Sequence, residues 1–276
     1  MKTKRARGGQ IKLDALSLDV GDTMRTNCPF CTAQDEKSMV ITRNEEGLLY
    51  HCYRASCEGS SGFISSTIDY KAVKQQKHKK DYTYNGELYP IDSKFTFLLR
   101  NKYRILWRDI EDNQFRQDKE GNYLFMPIFT AEGYENGYCA KRLNGEHHGP
   151  KSIIYSNDRY IVHYPYGTHS KNNLSPMVVV EDILSSIRVS KFLPCISLLG
   201  CDISTNHIVE LQKRTKHLIL MLDADTWRMK GEPKPIKYKR KYGLCFHKFD
   251  LIQVERDPKD SSETELADLL SNYLDL

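Results

Sequence analysis

The sequence lacks the features of a membrane-spanning or secreted protein. No run among its 276 residues approaches the roughly 20 consecutive apolar positions that cross a bilayer. The first stretch, MKTKRARGGQIKLDAL, has no apolar signal-peptide core, so a cytoplasmic location with no membrane partner is expected. Gly-Lys-Ser/Thr is absent too. HHGPKS at 147–152 superficially resembles a phosphate-binding loop but has no glycine at the required offset, which excludes an ATP-driven motor. Cysteine is plentiful, with eight residues. In a reducing compartment a chain able to bury so large a core needs no disulfide framework, and metal binding is the better reading.

Net charge is +5, from 41 Lys/Arg against 36 Asp/Glu. The first 80 residues hold 14 Lys/Arg and 9 Asp/Glu, so the remainder holds 27 of each and is neutral. A basic end on a neutral body suits a polyanion held at that end, although solvated surfaces carry such excesses as well.

Four of the cysteines fall close together, in NCPFC (Cys28, Cys31) and HCYRASC (Cys52, Cys57). Between them, SMVITRNEEGLLYHC predicts a hairpin with its turn at Asn44 to Gly47, which returns the second pair of thiolates to the first. Zinc takes four soft ligands in a tetrahedron, and two short cysteine knuckles supply them. His51 is the alternative to Cys52 as a ligand. After EGSSGF the polar, Lys-rich residues 66–85 read as a linker.

Apolar spacings of three and four predict helix between Leu88 and Arg116. YLFMPIFTAEG and GYCAKRL then form a β-hairpin with Lys141 and Arg142 at its end. From Met177 strands and helices alternate: PMVVVED, ILSSIRVSKF, CISLLG, a Ser- or Thr-capped helix in STNHIVELQKRTK, HLILMLDAD, FDLIQVERDPKD and a closing helix in SSETELADLLSNYL. Such alternation implies a parallel sheet whose strand C-termini share one edge.

Three of those strands end in acid: Glu181 with Asp182, Asp223 with Asp225, and Asp257 with Asp260. Carboxylates gathered at one edge repel one another unless a hard divalent cation such as Mg²⁺ lies among them. Positions i and i+2 of an extended segment point the same way, so Asp223 and Asp225 offer one cation two ligands. The bland alternative is that loops after strands are polar. The segment from Trp227 to Gly243 carries seven Lys/Arg, suited to nucleic acid or triphosphate or to a solvated face.

The succession MVVVED, SLLG, LILMLDAD, ERDPKD resembles the TOPRIM domain of bacterial-type primases and topoisomerases. The preceding CPFC and HCYRASCEGSSGF resemble the zinc ribbon of bacteriophage primases, similar to the primase half of phage primase-helicases. GYCAKRL, GPKSIIYSND and YPYG resemble those primases' basic N-terminal subdomain, so the resemblance runs over about residues 25–276. It implies an α+β fold with an α/β core: a template-binding zinc ribbon at 1–65, a linker at 66–85, a basic subdomain at 86–175 and a TOPRIM parallel sheet with flanking helices at 176–276. It also implies a DNA-dependent RNA polymerase that makes short RNA primers on single-stranded DNA for phage replication, in the host cytoplasm. Asp223, Asp225 and Asp260 would hold one or two Mg²⁺ or Mn²⁺ ions, with Glu181 as a further ligand or proton acceptor. One structural Zn²⁺ would sit on Cys28, Cys31, Cys52 and Cys57.

Lys141, Arg142 and Lys151 match basic family positions that hold template or nucleotide phosphates, with structural salt bridges as the alternative. On the ribbon, Arg54 and Arg43 would meet phosphates while bases stack on Tyr50, Tyr53 or Phe63, unless those rings form the ribbon's own core. The linker would let the ribbon swing. The implied partners are single-stranded DNA, ribonucleoside triphosphates and a separate replicative helicase. Asp182 departs from the glycine usual after the family's glutamate, and TWRMKGEP from the usual Ala-Gly after Asp-x-Asp. A TOPRIM nuclease and a non-catalytic zinc-ribbon DNA-binding protein are the alternatives.

Overall fold

The computed structural model describes residues 11, 15–31, 37–54, 57, 61–65, 83–142, 150–156, 162–165, 176–228 and 231–274. Most of the expected linker, residues 66–82, lies outside them, as does Lys230.

Period-two alternation builds the first sheet. In β2 (Met39–Asn44), Met39, Ile41 and Arg43 are buried and the residues between them half-buried. The strand reverses through Glu45 and Glu46, where Asn44 Oδ1 accepts the amides of Glu46 (3.1 Å) and Gly47 (2.8 Å), and returns as β3 (Gly47–Cys52). The expected hairpin therefore forms. β1 (Thr23–Thr26) and β4 (Ser61–Ser65) complete an antiparallel meander in the order β1-β2-β3-β4. Gly62 faces Tyr50 across β3 and β4, and a Cβ there would lie 2.3 Å from the tyrosine hydroxyl. Any larger residue at 62 would displace that ring.

The ribbon is fastened to the rest of the chain. Arg43, on the same face as Met39 and Ile41, donates to the Leu18 carbonyl at 2.6 Å and to the Phe246 carbonyl. Leu244 packs on the ribbon core of Met39, Ile41 and Leu48. The phosphate contact expected of Arg43 is thus replaced by a structural one, because strand alternation turns this side chain inward. The ribbon rests on the parallel sheet's end of the molecule instead of hanging free from it.

The second sheet is antiparallel: β5 (Tyr89–Pro90), β6 (Arg116–Gln117), β7 (Leu124–Phe129), β8 (Glu135–Lys141) and β9 (Ser152–Tyr155), in chain order. The expected β7–β8 hairpin is present, pairing Leu124 with Lys141. The stretch expected to be helical divides into α1 (Ser93–Tyr103) and α2 (Trp107–Asp112), after β5 takes its first residues. Asp92 caps α1 by accepting the Phe95 amide at 2.9 Å, and Arg104 at φ +53° ends it. Phe95, Leu99, Ile105 and Ile110 all enter one core, so the apolar spacing runs on through the break and hides it.

The third sheet is parallel, in the order β11-β10-β12-β13: β10 (Met177–Val180), β11 (Cys195–Ser197), β12 (His217–Leu220) and β13 (Lys248–Leu251). β10 and β12 are buried on both faces, as strands covered by helices on each side must be. The connecting helices are α3 (Ile183–Val189), α4 (Thr205–Gln212), α5 (Lys234–Tyr242) and the closing α6 (Glu263–Leu274). α5 is a helix within the basic segment, where sequence periodicity had suggested none. Ile183, Leu184 and Ile187 of α3 pack into the core beneath α1 and β7, which joins the second and third sheets and sets the end of β8 beside the end of β10. The whole is a mixed α+β fold with an antiparallel ribbon and an α/β core. Among the described residues no helix is long and apolar enough to cross a membrane.

Candidate metal centre and acidic cleft

The four ribbon cysteines converge. Cys28 and Cys57 sulfurs are 3.6 Å apart, as are those of Cys31 and Cys52, and all four lie within 4.8 Å of one another. Four sulfurs bound tetrahedrally at the usual Zn–S length stand about 3.8 Å apart, so the cluster fits zinc. Its chemistry agrees. Burial, with the neighbouring sulfurs, pushes the Cys28 and Cys31 thiols up, a state that a dication at the centre would reverse. The His51 ring packs instead edge-on against Tyr53 at 4.7 Å, which removes it as the alternative ligand. Tyr50 stacks on Phe30 and belongs to the ribbon's interior. Tyr53 and Phe63 are exposed, with Leu49 opposite Phe63 on the same solvent face. Arg54 sits in the second cysteine turn, its carbonyl accepting the Cys57 amide at 3.1 Å.

At the C-terminal edge of the parallel sheet the acids assemble as the alternation of elements predicts. Glu181 and Asp182 follow β10, Asp223 and Asp225 follow β12, and Asp257 and Asp260 lie beyond β13. A cleft of about 330 Å³ is lined by Asp182, Asp223, Asp225, Asp257 and Asp260 together with Lys141, Arg142, Lys151 and Lys259. Glu181 lines an adjoining cavity of about 180 Å³ with Lys151, Asp223 and Gly200. The candidate acids and the three basic residues expected beside them are therefore brought together by the fold.

A residue that sequence reasoning missed occupies the centre. Lys259 Nζ lies 2.7 Å from Asp257, 2.8 Å from Asp223 and 3.1 Å from Asp182. Lys141 Nζ adds a second ammonium to Asp182 at 2.9 Å. Asp182 also caps α3 by accepting the Ser185 amide at 2.9 Å. Asp257 accepts the Ala224 amide at 3.1 Å and so ties the turn after β12 to the turn after β13. The one available signal for Lys259 was its place in Asp-Pro-Lys-Asp, a lysine between two acids of the edge.

The electrostatics follow from this arrangement. Burial would raise the Asp182 carboxyl, but Lys141, Lys259 and the Ser185 amide outweigh it and hold the group well below the usual carboxylate range. Burial pushes Glu181 up to about 7, with Asp225 and Asp182 adding to the rise against the Asp223 amide it accepts at 3.1 Å. Asp223 rises to about 7 by burial and by the charges of Asp182 and Glu181, despite Lys259. Its Oδ1 is buried with no hydrogen-bond partner among the described residues. An orphaned oxygen on one of two neighbouring carboxyls that both resist ionisation, Asp223 and Glu181, is what a hard cation would complete, so the donor set fits Mg²⁺ or Mn²⁺ in kind. Among the described residues, however, only the cysteines draw three or more ligand atoms into one cluster.

Of the expected phosphate ligands, Lys141 is buried and committed to Asp182, which realises the salt-bridge alternative. Arg142 donates its amide to the Lys151 carbonyl at 3.0 Å, and its buried Nη1 has no partner among the described residues. In the basic segment, Arg240 pairs with Glu232 at 2.8 Å and Arg228 reaches the Glu255 carbonyl at 3.1 Å. Part of that strip is therefore structural.

No family model matches the chain. It is similar to the DNA primase of Legionella pneumophila, 27% identical over 119 residues, covering 39% of this chain and 20% of that protein. The DNA primase of Staphylococcus aureus strain COL is 22% identical over 121 residues, covering 42% and 20%. The chain thus matches about a fifth of the length of these curated relatives. Similar solved structures include the zinc-binding and RNA polymerase domains of the Aquifex aeolicus primase, at 15% identity, 99% of this chain, 86% of that chain and TM-score 0.47. The primase fragment of the bacteriophage T7 primase-helicase protein aligns at 13% identity, 92% of this chain, 100% of that chain and TM-score 0.47.

Proposed function

We propose that this chain is a DNA primase that joins ribonucleotides into short RNA primers on single-stranded DNA. The observation that carries the reading is the acidic edge itself: Asp223, with a buried oxygen that has no partner among the described residues, beside Glu181 in a cleft that basic residues also line. Similarity to DNA primases supports the same conclusion.

Asp223, Asp225 and Asp260, which line one cleft, would hold Mg²⁺ or Mn²⁺, with Glu181 beside them as a further ligand or proton acceptor. The metal when bound supplies Lewis acidity at the attacked phosphate. The rest is done by the chain. Glu181, raised to about 7, is poised to accept the proton of a primer 3′-hydroxyl near neutral pH. Arg142 and Lys151 line the same cleft as the acids and would position triphosphate or template phosphates. Lys259 keeps Asp223 and Asp257 in place between turnovers, so the edge does not spring apart by charge repulsion. The zinc-loaded ribbon would present Tyr53 and Phe63 to unpaired bases, with Arg54 nearby. The ribbon at 1–65, the basic subdomain at 86–175 and the catalytic unit at 176–276 would then divide template capture, phosphate handling and chemistry. A separate helicase would supply the unwound strand.

The test is to supply single-stranded DNA, ribonucleoside triphosphates and Mg²⁺ or Mn²⁺ and to look for short RNA products. Asp223→Asn should lower the rate at least about 100-fold. Products unaffected by that change, or strand scission in place of synthesis, would overturn the reading.

A further inference from the structure

Cys201 and Lys234 stand apart from both sites and are held unusually close. Lys234 Nζ is 2.6 Å from Cys201 Sγ and 3.1 Å from Asp202 Oδ1. One helical turn later, Tyr238 donates its hydroxyl toward the same dipeptide, at 3.2 Å from the Cys201 carbonyl and 3.0 Å from Asp202 Oδ1. The two side chains at i and i+4 of α5 thus clamp Cys201 and Asp202 between them. Sulfur is a larger acceptor than oxygen, yet this N···S distance is shorter than the roughly 2.9 Å of an ordinary N–H···O bond. It is the separation that one bridging oxygen imposes on nitrogen and sulfur, given single N–O and O–S bonds and a bent angle at oxygen.

We propose that Cys201 and Lys234 form a reversible covalent N–O–S bridge under oxidation by a peroxide. In the first step the Cys201 sulfur attacks hydrogen peroxide: an S–O bond forms, the O–O bond breaks, and sulfenic acid and one water result. Sulfur loses two electrons, which the peroxide takes. In the second step the unprotonated Lys234 amine, its proton passed to water, loses two electrons to a second peroxide. An N–O bond forms to the sulfenic oxygen and two waters leave. One amine, one thiol and two peroxides thus give one bridge and three waters. Two equivalents of a dithiol return the amine and the thiol with release of one water.

The position gives the bridge a consequence. Cys201 continues the turn in which Leu199 has φ +55° and the Gly200 amide donates to the Glu181 carbonyl at 2.9 Å. Lys234 is the first residue of the basic helix α5. Oxidation would therefore tie the start of that helix covalently to the turn after β11, whose Gly200 amide holds the Glu181 carbonyl at the end of β10. Cys201 and Lys234 are both partly accessible, as a diffusible peroxide requires.

Full-length protein treated with hydrogen peroxide and digested should yield a peptide pair joined through Cys201 and Lys234, heavier than the sum of its parts by one oxygen less two hydrogens. The pair should vanish with dithiothreitol and be absent from Cys201→Ser and Lys234→Arg. The bridged wild type should melt a few degrees above its reduced form, because the link closes a loop of the unfolded chain. Cys201 recovered as sulfenic or sulfinic acid with Lys234 still open to acylation, and no joined pair, would overturn the proposal. That result is read on wild type and does not depend on either variant folding or on primer synthesis.

Discussion

The ribbon cysteines and the acidic edge answer the same problem, like charges gathered by a fold, in opposite ways. The ribbon brings four thiols to one point with no cation of its own; burial makes Cys28 and Cys31 reluctant to ionise, while at Cys52 burial is outweighed by hydrogen bonds with the Arg54 amide and Ser38, which lower the thiol. The acidic edge carries its own cation in Lys259, which touches three carboxylates from three different strand ends. A site whose ligands converge depends on metal to fold. A site neutralised from within can fold first and leave only selected oxygens, such as Asp223 Oδ1, for a metal to find.

The strongest way to break this contrast is to remove the zinc ligands. Cys52→Ser, or a strong chelator, should unfold the ribbon around Met39, Ile41 and Leu48, since binding to a structural zinc site is folding energy of about 10 kcal/mol or more. Loss of one zinc per chain together with loss of amide protection in β2 and β3 would be the readout. Asp223→Asn should by contrast leave the fold intact, with its circular dichroism and melting cooperativity preserved, while primer synthesis falls at least about 100-fold. Lys259→Met tests the internal cation. It leaves partly buried carboxylates facing one another and should cost about 3–5 kcal/mol in denaturant unfolding, with Mg²⁺ restoring more stability to the variant than it adds to wild type. Equal Mg²⁺ effects on both would show that Lys259 and the metal do not share a role.

The smallest expected effect lies away from both sites. Asp250 on β13 accepts from His217 Nε2 at 2.9 Å and has Lys248 at 3.5 Å. Burial would raise this carboxyl, but His217 and Lys248 outweigh it and hold it below the usual value. A depressed acid binds fewer protons folded than unfolded, so its contribution is present above the unfolded value of about 3.9 and is lost as pH falls through the folded one. Asp250→Asn should therefore cost roughly 1 kcal/mol near pH 7, and its deficit against wild type should shrink in thermal melts below about pH 4.

What was legible in the sequence is what local spacing encodes. The cysteine knuckles, the hairpin between them, the alternating strands and helices after Met177 and the acids at the strand ends all follow from periods and short offsets. The break at Arg104 was hidden because α1 and α2 bury into one core and keep one apolar rhythm. Helix α5 was hidden by its lysines, which give it a charged face and few apolar positions, although Tyr238 and Tyr242 anchor it. The ion pairs of Lys259 with Asp223 and Asp182, and of Lys141 with Asp182, could not be read because they join residues too far apart in the chain for any local pattern to span. The phosphate contact expected of Arg43 fails for a related reason: strand alternation with Met39 and Ile41 puts it on the buried face, where its partner carbonyl at Phe246 lies about 200 residues away.

That last contact has a bearing on ionic strength. Arg43 binds two carbonyl dipoles, and burial pushes its guanidinium down from its ordinary value, with Asp19 opposing. Salt screens exposed ion pairs and displaces proteins from polyphosphate backbones far more than it weakens a buried hydrogen bond to a neutral acceptor. A concentrated salt wash should strip nucleic acid from the basic surfaces and leave the ribbon seated where it is.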